Sequence, residues 1–277
     1  MCLLCLRVCA AAIAFAAAGP AVADDLRICA DPNNLPFSNQ EQKGFENRLA
    51  EMLAHDLGMN VKYVWWAERK NFIENSLNAG MCDAVMGVPA DIGSVSATQP
   101  YYRSTYVVIS RKSDGPAISS LADERLTSLR IGIHVVDSDY APPAQLLASR
   151  GLSANLVGFS LYGKQDEPNP PARLVEAVSR KDVDVAIVWG PFAGYFGDDK
   201  ALALAPVIPQ RFRATPFVYD IAVAVRTGDE ALRNKLNESL TRQCAAIQTL
   251  LRQYRVPQVQ EGQPPCASAP QVYASSR

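Results

Sequence analysis

Strand-length apolar runs alternate with runs of helical spacing from residue 26 to residue 88, and no other feature of the chain constrains its fold so tightly. Residues 26–30 form the first such run and lead into a polar loop, Asp31-Pro32-Asn33-Asn34-Leu35-Pro36-Phe37. Gly44-Phe45-Glu46 then opens a helix whose Phe45, Leu49, Met52, Leu53 and Leu57 share one face, with Gly58 as carboxyl-terminal cap. A second strand is predicted over 61–65, a helix over 72–79 stopped by Gly80, and a third strand over 84–87 that enters the loop 88–99. Such alternation specifies a parallel sheet with helices on both faces. It also places the loop after the first strand at the edge of the sheet where open α/β folds hold their ligands.

An extended run over 101–111, rich in Tyr, Val, Thr and Ile, is built to leave one domain and enter another. A second βα series follows. It has a strand over 129–135, Asp137-Ser138-Asp139 as a helix amino-terminal cap, Pro142 in the first helical turn and Gly151 at the helix end. Then come a strand over 154–159, a helix over 174–179 and a strand over 184–189. Residues 202–206 and 217–226 read as extended segments running back, and Asp229 starts a helix to about residue 254 with Leu232, Leu236, Leu240, Ile247, Leu250 and Leu251 at helical spacing. The predicted architecture is α/β and bilobal: two doubly wound sheets joined by a two-crossing hinge, with the binding cleft between the lobes. Residues 24–109 and 207–258 make the first lobe, 110–206 the second and 259–277 a Pro-rich tail. One continuous α/β domain is the alternative topology.

Residues 1–23 read as a removable export leader, with Arg7, an apolar run over 8–18 and the small-residue signal Ala21-Val22-Ala23 before Asp24. That run is too short to cross about 30 Å of hydrocarbon, so the expected product is a periplasmic protein with no membrane insertion. Arg7, two residues before Cys9, disfavours a lipoprotein cleavage site. The 27 basic and 28 acidic residues leave no basic field for nucleic acid or anionic lipid. Three of the seven cysteines leave with the leader, and Cys29, Cys82, Cys244 and Cys266 remain, an even number suited to an oxidising compartment. Cys29 lies in the first strand and Cys82 at the head of the strand expected beside it, so the predicted pairs are Cys29 with Cys82 and Cys244 with Cys266, the second stapling the tail. A zinc site of four thiolates lacks any Cys-x2-Cys spacing.

Catalytic signatures are mostly absent. His55 and His134 share no zinc-helix spacing, and the chain holds no Gly-x-Ser-x-Gly elbow, P-loop or dinucleotide fingerprint. The acidic pairs Asp137/Asp139 and Asp182/Asp184 lack the glycine and distal Glu of a calcium loop, so no metal is assigned. His134, at a strand end beside the cleft, is either a ligand contact or a packed core histidine. Amides and rings at strand ends are the better candidates: Asn33 and Asn34, Phe37, Trp65 with Arg69 close behind, Tyr101 and Tyr102 with Arg103, and Trp189. Each of these could equally fill a core.

Asp31 to Ser38, Gly44-Phe45-Glu46 and Pro100-Tyr101-Tyr102 resemble the extracellular solute-binding proteins of amino-acid type. More narrowly, the stretch from Cys29 to Ser38, Trp65-Trp66, the run from Gly80 to Pro89 and the run from Pro100 to Val107 resemble the periplasmic J proteins encoded with methanol dehydrogenase. The resemblance covers about residues 26–256. It implies a bilobal periplasmic-binding-protein (type II) fold and a non-catalytic accessory role in the assembly or function of a pyrroloquinoline quinone (PQQ) methanol dehydrogenase. It implies that dehydrogenase and its cytochrome c as partners, a small-molecule ligand as a further one, and no cofactor of the chain's own. Against the amino-acid binders, Ile92-Gly93-Ser94-Val95-Ser96 stands where a Thr-x-Glu-Arg motif would clamp a ligand carboxylate. Val136-Asp137-Ser138-Asp139 stands where they carry a Gly-Thr-Thr anion site, and acids at a helix start would repel a carboxylate. Asn33, Asn34, Phe37, Trp65, Arg69, Pro89, Tyr101, Tyr102, Arg103, His134, Asp137 and Trp189 are therefore the cleft candidates. The alternative functions are a transporter's receptor for a small neutral or cationic solute, and an enzyme using Glu68 or Asp220 as general acid.

Overall fold

The computed structural model describes residues 24–163, 167–197, 200–259 and 264–267; the leader expected at 1–23 and most of the tail expected beyond 259 lie outside the described residues. In the first lobe, β1 (Asp25–Ala30) pairs in parallel with β2 (Asn60–Trp65) on one side and β3 (Ala84–Pro89) on the other. Its side chains alternate between two cores. Leu26 and Ile28 face α1 (Phe45–Asp56) and α6 (Glu230–Gln253), while Cys29 faces the cluster of Phe72, Leu77 and Val85. α6 begins as the sequence predicts, with the Asp229 carboxylate accepting the Leu232 amide at 3.3 Å.

The second lobe is built on β5 (Ile131–Val136), β6 (Leu156–Ser160), β7 (Val185–Trp189) and β8 (Leu202–Pro206), packed by α3 (Ala144–Ser149), α4 (Ala172–Ser179) and α5 (Gly190–Phe196). The lobes are joined by β4 (Tyr102–Arg111) and β9 (Val218–Val225). From Tyr102 to Thr105, β4 pairs antiparallel with β9; from Tyr106 onward it pairs with β7 and β8. The two sheets thus share one strand, in the order β6-β5-β7-β4-β9-β3-β1-β2. The change of partner at Thr105 precedes the boundary predicted after residue 109, and Val207 and Phe217 are buried in the second lobe's core, beyond the boundary predicted at 207. A continuous strand serving both sheets leaves no composition break to read.

Across the hinge, Arg103 grips Asp220 with two hydrogen bonds, Nε to Oδ1 at 2.8 Å and Nη2 to Oδ2 at 2.7 Å, between residues directly opposite in the β4–β9 ladder. Asp220→Asn is expected to lose about 1 kcal/mol in urea unfolding, because the pair is only partly shielded from solvent. A loss above about 3 kcal/mol would mark the pair as a buried keystone instead.

Two local expectations fail. The helix predicted over 72–79 is a single turn, Phe72–Asn75, because the Ser76 hydroxyl donates to the Phe72 carbonyl at 2.6 Å and turns follow to Gly80. Asp137-Ser138-Asp139 caps no helix. Val135 pairs with Tyr140 and Val136 with Asp139 in a tight hairpin, with Asp137 in the left-handed region at φ 53° that aspartate tolerates in turns. The helix that follows starts only at Ala144, after Pro143. No helix start therefore sets these acids against a ligand carboxylate.

The cysteines pair as Cys29 with Cys82 and Cys244 with Cys266, with Cα–Cα distances of 5.6 and 5.4 Å. Among the described residues no helix is long and apolar enough to cross a membrane.

Candidate functional site

The polar loop after β1 is pinned onto α1. The carbonyls of Pro36 and Phe37 accept the first free amides of the helix, Phe45 N at 2.8 Å and Glu46 N at 3.0 Å. This projects the Phe37 ring between the lobes, edge-on to Phe45 at 5.4 Å and to Phe192 of α5 at 5.1 Å. Asp31 ties the same loop to the one after β2, its Oδ1 accepting the Asn33 amide and its Oδ2 the Glu68 amide, both at 2.7 Å. The facing lobe is latched on. Asn33 Nδ2 donates to the Glu167 carbonyl at 2.7 Å, its Oδ1 accepts the Asn169 amide at 3.2 Å, and the Arg69 guanidinium lies 5.0 Å over the Tyr162 ring.

Behind this latch is a cavity of about 460 Å³ bounded by both lobes. Of the residues singled out in the sequence, Asn34, Phe37, Arg69, Pro89, Tyr102 and Trp189 line it. Asn33 borders a neighbouring space of about 320 Å³ that shares Asn34, Arg69 and Tyr162 with the first. The others lie elsewhere. Trp65 stacks on Tyr63 at 4.7 Å, Tyr101 is fully buried, Arg103 is held by Asp220, and Asp137 sits on its hairpin turn. His134 is packed, 5% exposed, with Nε2 3.3 Å from the Pro171 carbonyl oxygen and its ring 5.3 Å from Phe192. Burial pushes its pKa down to about 4, so the imidazole is neutral.

The cavity also exposes groups that strand-end reasoning passed over. Tyr162 and Phe192 line it beside Glu68, the acid the sequence offers as a general acid, and so does Glu46, whose signal was present: Glu46 falls in helical phase with Leu49, Ala50 and Leu53, on the buried face of α1. The Tyr101 hydroxyl donates to Glu46 Oε1 at 3.2 Å, and Gly87, at φ 76°, lies so close that a Cβ there would stand 2.3 Å from the same oxygen. Desolvation, with the charge of Glu68 adding, pushes the Glu46 pKa up to about 8 against the opposing Tyr101 hydrogen bond. Glu46 is therefore mostly a neutral acid at pH 7. Glu68 accepts from Asn34 Nδ2 at 2.9 Å. Desolvation and then Asp31 push its pKa up to about 7, while the Asn34 bond opposes. Among the described residues no three His, Cys, Asp or Glu side chains are grouped to hold a metal ion.

Glu46 holds its proton more tightly folded than unfolded, so its contribution to stability is lost as pH rises from its ordinary 4.5 through about 8. His134 has the opposite sign, losing stability as pH falls from 6.5 through about 4. Glu68, raised to about 7, adds a decline of the same sign as that of Glu46; His134 opposes both below about 6.5, and above about 7 Glu46 carries the decline. Glu46→Gln is expected to remove a large part of that alkaline decline, worth roughly 1 kcal/mol per pH unit per proton. Urea unfolding across this range checks it, and parallel declines in the two proteins would refute the assignment.

Two hinged lobes closed over a ligand-sized cavity define a solute-binding protein. The chain belongs to the bacterial extracellular solute-binding proteins, family 3, whose profile matches residues 26–255. It is 29% identical over 249 residues to Protein MoxJ of Methylorubrum extorquens, covering 85% of this chain and 82% of that one. It is 27% identical over 271 residues to Protein MoxJ of Paracoccus denitrificans, covering 91% and 96%. The crystal structure of periplasmic binding protein XoxJ from Methylobacterium extorquens AM1 superimposes with a TM-score of 0.70 at 29% identity, over 85% of this chain and all of that one. The resemblance to the J proteins read from the sequence is borne out.

Proposed function

We propose that this chain is a non-catalytic, periplasmic binding-protein-like accessory protein of methanol oxidation, which assists the assembly or function of a PQQ-dependent methanol dehydrogenase and works beside that enzyme and its cytochrome c. Likeness over most of its length to MoxJ and XoxJ supports the setting. One observation favours an accessory over an amino-acid receptor: the segment after β3 meets the cavity through Ile92 and Ser94, with no guanidinium for a ligand carboxylate. Of the two acids weighed as general acids, Asp220 is held by Arg103. Affinity capture from a periplasmic extract tests the reading. Retention of quinoprotein dehydrogenase subunits, and loss of methanol oxidation on deletion of the gene, are the expected results. No retained subunit together with intact methanol oxidation would overturn it.

A second reading, a transporter's receptor for a small neutral or cationic solute, is favoured by the cavity itself, which is of ligand size and walled by rings. Ligand-induced rises in melting temperature without any dehydrogenase contact would support it.

A further inference from the structure

The walls of the cavity combine aromatic rings with an acid. Phe37 from the first lobe and Tyr162 and Trp189 from the second, all partly exposed, border the same space, whose lining also includes the buried Phe72, Tyr102 and Phe192. Glu68 also borders it, with one neutral donor, Asn34 Nδ2, and among the described residues no ion pair. Of the two cations on the lining, Arg69 lies over the Tyr162 ring, and Lys70 shares the lining with the acid Glu74. Ring faces carry negative potential and attract a cation without supplying hydrogen-bond acceptors in fixed directions.

We propose that the cavity binds a small organic cation bearing an alkylated ammonium group, held by the aromatic walls and counterbalanced by the Glu68 carboxylate. An alkylated ammonium has few or no N–H groups to satisfy, so its transfer into a ring-lined space strands no donor. A primary ammonium needs up to three acceptors. Glu46 is protonated and already takes the Tyr101 hydrogen bond, which leaves as acceptors the neighbouring pair of the Glu68 carboxylate and Asn34 Oδ1, the latter buried without a hydrogen-bond partner among the described residues. A carboxylate on the ligand would meet Glu68, and the Arg69 guanidinium on the lining lies over the Tyr162 ring. Around Glu68 stand Asp31 and Asn34 from the β1 loop, Glu46 from α1, Arg69 on its own loop, and Tyr102 and Tyr162. A bound cation stabilises the ionised form of Glu68, so affinity rises with pH through the neutral range.

The inference concerns what the cleft holds and stands apart from any contact with a dehydrogenase. Titration calorimetry on the full chain with choline, its neutral carbon isostere 3,3-dimethyl-1-butanol, ethanolamine and glycine betaine tests it. Choline is expected to bind at least about tenfold more tightly than each of the other three. Glu68→Gln is expected to weaken choline about tenfold or more and to remove the Glu68 part of the pH dependence, leaving that of Glu46, while its melting temperature without ligand does not fall. Trp189→Leu, which keeps an apolar side chain but removes the ring, should weaken choline and leave binding of the neutral isostere unchanged. Equal binding of choline and its isostere, tighter binding of ethanolamine, unchanged affinity in Glu68→Gln, or no heat from choline in a protein that still captures dehydrogenase subunits would each overturn it.

Discussion

Replacing Cys29 and Cys82 together by alanine is expected to cost about 4 kcal/mol and to lower the melting temperature by roughly 10 °C. The bridge closes a loop with a sequence separation of 53, and the chain-entropy relation gives that magnitude for a loop of this length. The loop contains α1, β2 and the single helical turn Phe72–Asn75, and therefore the wall of the cavity that bears Glu46 and Glu68. Both half-cystines are buried, at 2% and 0% exposure, in the core of Phe72, Leu77 and Val85, so alanine also leaves a small void there. The same relation gives about 3 kcal/mol for Cys244 and Cys266, whose separation is 22. That bridge holds residues 264–267 against α6, where the Gln99 amide donates to the Cys266 carbonyl. Differential scanning calorimetry of the two double variants checks both the size and the ranking. A Cys29/Cys82 variant that melts with the parent protein would show that the parallel ladder of β1 with β2 and β3 alone fixes this lobe.

Gly87→Ala is expected to cost roughly 3 kcal/mol, an unusually large effect for the addition of one methyl group. The left-handed backbone at φ 76° contributes about 1 kcal/mol, and the rest comes from the contact of the new Cβ with Glu46 Oε1. Glu46 cannot swing away freely, because it is buried and holds the Tyr101 hydroxyl. The pair should therefore be coupled. Glu46→Ala made together with Gly87→Ala should cost less than the sum of the two single changes, by about 1 kcal/mol or more. Additive losses in a double-mutant cycle by urea unfolding would assign the whole cost to backbone strain.

The β1 loop shows why part of the site was legible. Asn34 and Phe37 follow a strand that the period of the sequence identifies, and in a parallel sheet such a loop meets the cleft whatever its detailed contacts. Pro89 and Trp189 follow from the same rule at the carboxyl ends of β3 and β7, and Tyr102 opens β4, which runs antiparallel to β7. That rule ranks positions along the chain but not the direction of a side chain, and the failures have this origin. Tyr101 and Tyr102 are neighbours, yet one hydroxyl is buried against Glu46 and the other side chain reaches the cavity. Trp65 ends its strand as expected but stacks on Tyr63. Asp137 was placed at a helix start because acids cap helices, whereas the chain used it for the left-handed residue of a hairpin, a role aspartate fills equally well.

Periodicity, caps and cysteine placement are local, each fixed by residues within a few turns of one another or on adjacent strands. They determined the α/β alternation, the long final helix and the pairing partners of the cysteines. The cavity is not local. Asn33 meets Glu167 across 134 residues of chain, Phe37 meets Phe192, and Arg69 meets Tyr162, contacts that exist only once the hinge strands β4 and β9 set one lobe against the other. The protonation of Glu46 is of the same kind: an acid in the first turn of a helix reads as a favourable surface charge, and only the close approach of Gly87 and Tyr101 converts it into a buried neutral group.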